Sequence, residues 1–524
     1  MTSASANIPS SPVKSLREEL RSALPTSFHG KIRYLCTAPK RCEPLFSAPP
    51  GSLAEPTRLA SHFLTVSIDA GPASTSTSAS GVIVLGIEAL VYTTKRLTTI
   101  FVSKADSTGY LPHVRPSASK TIATTFISWL VEKQQASRPR RKIVVSLFAR
   151  SQSQYLFPGS AENSKKHVLD DRQLIKWWIS VLDPIARQQD DPKMLPSTIS
   201  RYRGYISVPG YEGAQELRPF LPLDNLDSHG SRRWSAGHPL LELATTRQVP
   251  TVVPVRCVLP RFPDDPKARF MQDLDDEAGI IEDATQTLSP SKRKAHEWGS
   301  IRSLERFWEA MAFRQECSSG RVVGFLWLVV DPQPAGSHAE DYSATGSPTE
   351  KSLKGIQSRF GTHAGSATPR KRKPLTGPIV ARQPRLKDGG RSEGNLRSEA
   401  ADDLVLTHDG YDRAMNTLLH LDFANLEVAL QSTAKWVTEI CSILGVQQDW
   451  AVEISGTTTP VNSSATKVCN GTHANVINDL GGMVRKKRKA DAAVMPDNCS
   501  IGGASPVNVL GTGLIRKKLK PVNG

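Results

Sequence analysis

The chain has 524 residues, yet only 39% are hydrophobic and 6% aromatic, with 37 prolines and 36 glycines. That composition excludes an all-globular chain and points to one large folded region with tails. A net charge of +16 points to acidic partners such as nucleic acid, anionic lipid or acidic protein. The seven cysteines, Cys36, Cys42, Cys257, Cys317, Cys441, Cys469 and Cys499, form no C-x-x-C pair, which speaks against a zinc site or a disulfide framework and for a reducing compartment. Met1–Pro12 lacks a basic region followed by an apolar run, and Gly81–Tyr92 and Val322–Val330 fall short of the about 20 residues that span a bilayer. A soluble intracellular protein is expected.

In chain order, Ser15–Leu24 reads as a helix and Ala70–Ser80 as a loop of small polar residues. Val82–Val91 is an apolar run that predicts a buried strand, with Thr98–Ser103 as its neighbour. Ala118–Gln134 has helical spacing, with Ile122, Phe126, Trp129 and Leu130 on one face. Ile143–Phe148 predicts another strand. Asp170–Ile185 predicts an amphipathic helix with Leu174, Trp178, Val181 and Leu182 inward. Val252–Val258 reads as a strand, Ser300–Glu316 as a helix and Arg321–Val330 as a closing strand. Strands alternating with helices predict an α/β core. Residues 1–331 are expected to form the folded domain and 332–402 a disordered basic linker. Residues 403–450 are expected to be a helical segment packing back on the domain, and 451–524 a disordered basic tail.

Several stretches carry candidate chemistry. In Phe262-Pro-Asp-Asp-Pro-Lys-Ala-Arg-Phe270, Asp265 reads as an N-cap with Pro266 at the first helical position. Capping is ordinary there, but a carboxylate held at a helix start can also accept a proton. Ile100-Phe-Val-Ser-Lys-Ala-Asp-Ser-Thr-Gly-Tyr110 leaves a strand for a loop, where α/β sheets commonly bind ligands. Arg115, Ser117 and Lys120 follow and suit phosphates. Ser153–Pro158 is aromatic, and Lys165, Lys166 and His167 are cationic. Together they suit a cofactor with an acyl arm and a polyphosphate head, or else form an ordinary surface patch. Trp177 and Trp178 face about 100° apart on a helix, so one can fill the core while the other lines a cleft. The basic runs Arg370–Lys373, Arg485–Lys489 and Arg516–Lys520 read as nuclear-localisation signals or electrostatic handles. No GxxxxGK[ST], GxGxxG, HExxH or GxSxG motif occurs.

The three motifs IFVSKADSTGY, SQYLFPGSAENSKKH followed by KWW, and FPDDPKARF occur in this order. With them the chain resembles the fungal histone acetyltransferase family known as regulator of Ty transposition, over roughly Leu16 to Val330. The resemblance implies an α/β fold like that of the CREB-binding-protein acetyltransferases, with a central mixed β-sheet surrounded by helices. It implies transfer of acetyl from acetyl-CoA, without a metal, to histone H3 lysines, one in the first helix and others in the tail. It further implies a nuclear protein that binds histone H3–H4 and is activated by histone chaperones of the anti-silencing-function and nucleosome-assembly-protein types. The biology implied is replication-coupled nucleosome assembly, transcription regulation, the DNA damage response and genome stability.

By motif, Ala105, Asp106, Ser107, Val114, Arg115, Pro116, Ser117 and Ala118 should contact acetyl-CoA. So should Phe148, Gln152, His167, Val168, Leu169 and Trp177. Asp265 takes the place of the proton acceptor, Lys267 that of a self-acetylated lysine, and Trp178 and Tyr155 lie where the substrate lysine enters. Asp106 is carried over as catalytic as well. No cysteine lies in the three motifs, which favours direct transfer over an acetyl-cysteine. The short segment between Tyr110 and Phe148 and the loosely matching Arg201–Leu223 leave chaperone and lysine preference open. A chromatin-binding scaffold using its basic tails is the alternative from another class.

Overall fold

The computed structural model describes residues 13–49, 52–69, 81–190, 201–211, 213–227, 230–250, 252–285, 298, 300–313, 321–332 and 404–459. The strands are β1 (His29–Thr37), β2 (Lys40–Cys42), β3 (Thr57–Ile68), β4 (Val82–Thr93), β5 (Leu97–Ser107) and β6 (Lys142–Ala149), followed by β7 (Tyr202–Ser207), β8 (Trp234–Ala236), β9 (Gly324–Val330), β10 (Leu404–Leu406) and β11 (Val452–Ser455). The longer helices are α1 (Leu16–Ala23), α2 (Ala118–Ser137) and α3 (Asp171–Ala186), then α4 (Ala214–Leu217), α5 (Leu240–Thr246), α6 (Pro266–Thr285), α7 (Leu304–Phe313), α8 (His408–Leu419) and α9 (Leu426–Leu444).

One sheet runs β10-β1-β3-β4-β5-β6-β9-β7-β8, with β11 beside β1 and β2 beside β3. It is mixed: β5–β6, β7–β8 and β1–β10 are parallel, and the other pairs are antiparallel. The central mixed sheet with helices around it is the expected fold.

Strand alternation sends neighbouring side chains to opposite faces. On β1, Tyr34 meets Phe126 and Trp129 of α2, whereas on β3 Phe63 meets Trp436 of α9. One face is therefore covered by α1, α2 and α3. The other carries two separate covers. Helices α8 and α9 lie over the β1–β4 end. A second core lies over β5, β6 and β9, where Leu243 of α5, Met271 of α6 and Phe307 of α7 pack with Phe101, Val144 and Trp327.

Local chemistry sets the helix ends. Capping boxes start α1 (Ser15 with Glu18) and α3 (Asp170 with Gln173). Gly445 ends α9 in the left-handed region at φ 68°.

Three expectations are corrected. Val252–Val258 is not a strand but holds a short 3-10 turn at Val255–Cys257. Pro250 and Pro254 remove backbone donors there, and Val255, Val258 and Leu259 are buried as a plug. The tail assigned to 451–524 begins too early, because Val452–Ser455 pairs antiparallel with β1. The third concerns β1 and β3, which the sequence reading left out. Their polar residues hide them: Arg33, only 1% exposed, donates from Nε to Asp449 at 2.9 Å and from Nη1 to Ser67 at 2.7 Å. The linker beyond residue 332 and the three basic runs lie outside the described residues. Among the described residues no helix is long and apolar enough to cross a membrane.

Candidate active site

Strands β5 and β6 pair only from Leu97–Lys142 to Phe101–Ser146, although β5 continues to Ser107 and β6 to Ala149. Beyond Phe101, β5 bulges against β4: Glu88 pairs with Lys104 and Ala89 with Val102, leaving Ser103 extra. The two parallel strands thus part at their carboxyl ends, where α/β sheets open ligand crevices.

A cavity of about 570 Å³ fills that opening. Ala105, Asp106 and Ser107 of β5 form one wall. Val114, Arg115, Ser117 and Ala118 come from the loop into α2, and Gln152 and Tyr155 from the loop after β6. His167, Val168 and Leu169 precede α3, and Trp177 and Trp178 lie on α3 itself. Of the fourteen residues expected to contact the cofactor, Pro116 and Phe148 do not line this cavity. Pro116 sits in the same loop after a cis peptide bond. Phe148 points to the opposite face, where its ring lies 5.4 Å from that of Phe101. Leu85, Gly109, Leu111, His113 and Leu174 also line the cavity, without having been expected to contact the cofactor.

The loop motifs fold onto one carboxylate. Oδ2 of Asp106 accepts the backbone N–H of Tyr155 at 2.7 Å, Leu156 at 3.0 Å and Phe157 at 3.3 Å. Its Oδ1 accepts Ser107 N and Lys166 Nζ, both at 2.8 Å. With its lone pairs so occupied, Asp106 acts as a strut that fixes the cavity wall. Lys166, which also donates to Ser160 Oγ at 2.8 Å, is likewise engaged. Asn163 completes the fold-back, donating to Thr108 O at 2.6 Å. Gly109 makes room for it: φ is 91°, and a Cβ there would lie 2.7 Å from Asn163 Nδ2 and from Lys166 N.

The cavity pairs an apolar channel with a cationic rim. Trp177 and Trp178 meet edge to face at 4.8 Å beside Val114, Ala118 and Leu174. Trp178 is buried and Trp177 half-buried, so both tryptophans border the cavity. Arg115, Lys165, His113 and His167 are exposed at the mouth. Tyr155 donates its hydroxyl to Arg150 O. Burial pushes that phenol up to about 12, so it keeps its proton near neutral pH.

Asp265 lies on the other face of the sheet. Phe262 stacks on Phe101, the last β5 residue paired with β6, at 4.1 Å. The turn after it is thereby anchored over the same split. Asp264 takes a left-handed conformation at φ 54°, and Asp265 then caps α6, accepting Lys267 N at 2.9 Å. The other carboxylate oxygen accepts Lys267 Nζ, and both side chains are buried. The Lys267 ammonium sits 5.2 Å from the ring of Phe325, the β9 partner of Phe148. Cys36, Cys42, Cys257 and Cys441, the cysteines among the described residues, stay clear of the cavity lining.

One contributor escaped the sequence reading. Glu88 is buried within β4 and accepts hydrogen bonds from Ser103, Lys104 and Tyr411. A lone carboxylate in an apolar run was the available signal, since such a group is rarely buried without partners.

Comparison with known proteins agrees with this geometry. The model of the histone acetyltransferase KAT11-type domain matches residues 16–141 and 132–439. Histone acetyltransferase rtt109 of Aspergillus flavus is 37% identical, covering 96% of this chain and 99% of its own. The protein of that name from Schizosaccharomyces pombe is 33% identical over 47% of this chain and 56% of its own. The crystal structure of Rtt109 from Aspergillus fumigatus superposes with a TM-score of 0.65 at 36% identity, covering 85% of this chain and all of that one. With the split sheet, the loop pinned on Asp106 and the family match over most of its length, this chain belongs to the fungal Rtt109 family of histone acetyltransferases.

Proposed function

We propose that the chain acetylates histone H3 lysines, one in the first helix and others in the tail, using acetyl-CoA bound in the β5–β6 split. A histone chaperone presents H3–H4. A nuclear location and a role in replication-coupled nucleosome assembly and the DNA damage response follow from that substrate. The observation that carries the reading is that a cavity of about 570 Å³ with an apolar channel and a cationic rim meets the same split as the buried Asp265 turn, from the opposite face.

The lining fits acetyl-CoA. The exposed Arg115, Lys165 and His167 suit a phosphate-bearing head, and the tryptophan-lined channel suits an aliphatic arm. Bound acetyl-CoA supplies an acetyl group activated as a thioester. The rest falls to this chain's residues. A lysine with an ordinary pKa near 10.4 is almost wholly ammonium at about pH 7 and cannot attack a carbonyl. Asp265 orients that ammonium and takes its proton, and the cap fixes the carboxylate for the task. Trp178 and Tyr155 confine the lysine's aliphatic stem. Lys267 competes for the same carboxylate. Its acetylation removes that competitor, which gives self-acetylation a physical role. Among the described residues no cysteine lines the cavity, which supports direct transfer.

The test is labelled acetyl transfer to H3–H4 with each chaperone type, wild type beside Asp265→Asn. Transfer to H3 is expected, with kcat about 10²-fold lower in the variant. No transfer by the wild type with either chaperone would sink the substrate reading, and a fully active variant would remove the role given to Asp265.

A further inference from the structure

The cavity lining and the Asp265 turn leave one charged group at the split unexplained. Lys104 follows the β5 bulge at Ser103, one residue before the cavity wall begins at Ala105. Its side chain is directed away from the cavity. The ammonium lies 3.2 Å from Glu88 Oε2 and 3.4 Å from Asp264 Oδ2. The side chain of Glu88 is only 7% exposed, and its two oxygens are fully engaged. Oε2 also accepts Ser103 Oγ, and Oε1 accepts the hydroxyl of Tyr411 at 3.0 Å. Tyr411 is buried on α8, more than three hundred residues along the chain. A continuous path therefore runs from the C-terminal helices through Tyr411, Glu88 and Lys104 to Asp264, next to Asp265.

Three features make this more than a surface ion pair. Asp264 holds a left-handed backbone conformation, which a non-glycine residue keeps only when its surroundings impose it. Its side chain is 76% exposed, so packing does not impose it. Lys104, by contrast, is only 22% exposed and anchored by a buried carboxylate, so its ammonium is a fixed point. An exposed ion pair contributes little to stability, but an anchored one can set where a neighbouring loop sits.

We propose that Lys104 is a positioning residue for acetyl transfer. It holds the Asp264–Asp265 turn over the β5–β6 split, and through Glu88 and Tyr411 it makes that position depend on docking of α8. The proposal rests on the reading of Asp265 given above. It assigns to the segment after residue 403 a part in the reaction as well as in the core.

The test is steady-state acetyl transfer to H3–H4 with a chaperone. Lys104→Gln and Asp264→Asn are each expected to lower kcat about tenfold with the KM for acetyl-CoA within about twofold, and the double variant to be no slower than either single. Lys104→Arg should recover most of the rate. Tyr411→Phe, remote from the cavity, should lower kcat about threefold. Wild-type kcat in Asp264→Asn, or a double variant whose loss is the product of the singles, would overturn the proposal. Should Lys104→Gln fail to fold, Asp264→Asn and Tyr411→Phe decide, and unchanged kcat in both would overturn it. Asp265→Asn run alongside separates the two ideas. If it is fully active while Lys104 and Asp264 are slow and coupled, the proton-acceptor role falls and Lys104 stands as the holder of the turn.

Discussion

Asp106 and Asp265 are both buried aspartates paired with a lysine close to the same split, one in the cavity wall and one on the opposite face. They differ in how their oxygens are used. Asp106 receives four backbone N–H groups and the Lys166 ammonium. Asp265 receives one backbone N–H and the Lys267 ammonium. A carboxylate surrounded by fixed donors has no lone pair for a newcomer. One held by a single cap and a lysine side chain can exchange that lysine for another. Residue type and burial are alike in the two, and the donor count is what differs.

The sharpest way to break the comparison is Asp106→Ala. It would leave three loop N–H groups and a buried ammonium without their acceptor, at a cost of about 3–5 kcal/mol. Chemical unfolding should show that loss, together with lost acetyl-CoA binding. A variant as stable as wild type but slow in turnover would place Asp106 in the chemistry. Asp265→Asn should do the reverse. Asparagine still caps α6 but leaves the buried Lys267 ammonium without its counter-charge, so stability should fall too, though less than for Asp106→Ala with its three stranded loop N–H groups, while kcat drops about 10²-fold. Equal losses of stability in the two variants would erase the distinction.

Gly109→Ala tests the strut indirectly. A Cβ at φ 91° and 2.7 Å from Lys166 N pushes the loop off Asp106. A loss of about 1–3 kcal/mol and weaker acetyl-CoA binding are expected, with kcat at saturation largely retained.

Tyr155→Phe should be mildest, at about 1 kcal/mol for its hydrogen bond to Arg150 O. It also carries a pH signature. Burial raises the folded phenol to about 12 from the ordinary value of 10. The protonated form is the one folding favours, so this stability is complete below pH 10 and lost as pH rises toward 12. Unfolding followed between pH 8 and pH 11 should show a shallower alkaline fall in the variant. An unchanged fall would assign it to other buried tyrosines, such as Tyr202.

Much of the site was legible because its motifs are local instructions. Ser-Thr-Gly-Tyr demands a turn at Gly109, and Asp-Asp-Pro-Lys demands a helix start at Pro266. Apolar runs announced β4, β5, β6 and β9, and both capping boxes lay within four residues. What stayed hidden depends on partners far along the chain. Lys166 reads as a phosphate ligand until Asp106 is seen to take it. Arg33 reads as surface until Asp449 is seen beside it. Phe148 sits on the strand that leads to the cavity but faces the other side, because strand alternation carries it across the sheet.

The sequence by itself determined the family, the helix starts and the residue types of the site, since each rests on neighbours within a few positions. Only the tertiary structure decided how many donors each aspartate meets, where β5 leaves β6, and that Tyr411 reaches the Asp264–Asp265 turn through Glu88 and Lys104. The reason is physical: a buried charge is defined by the donors that surround it, and folding alone brings those donors together.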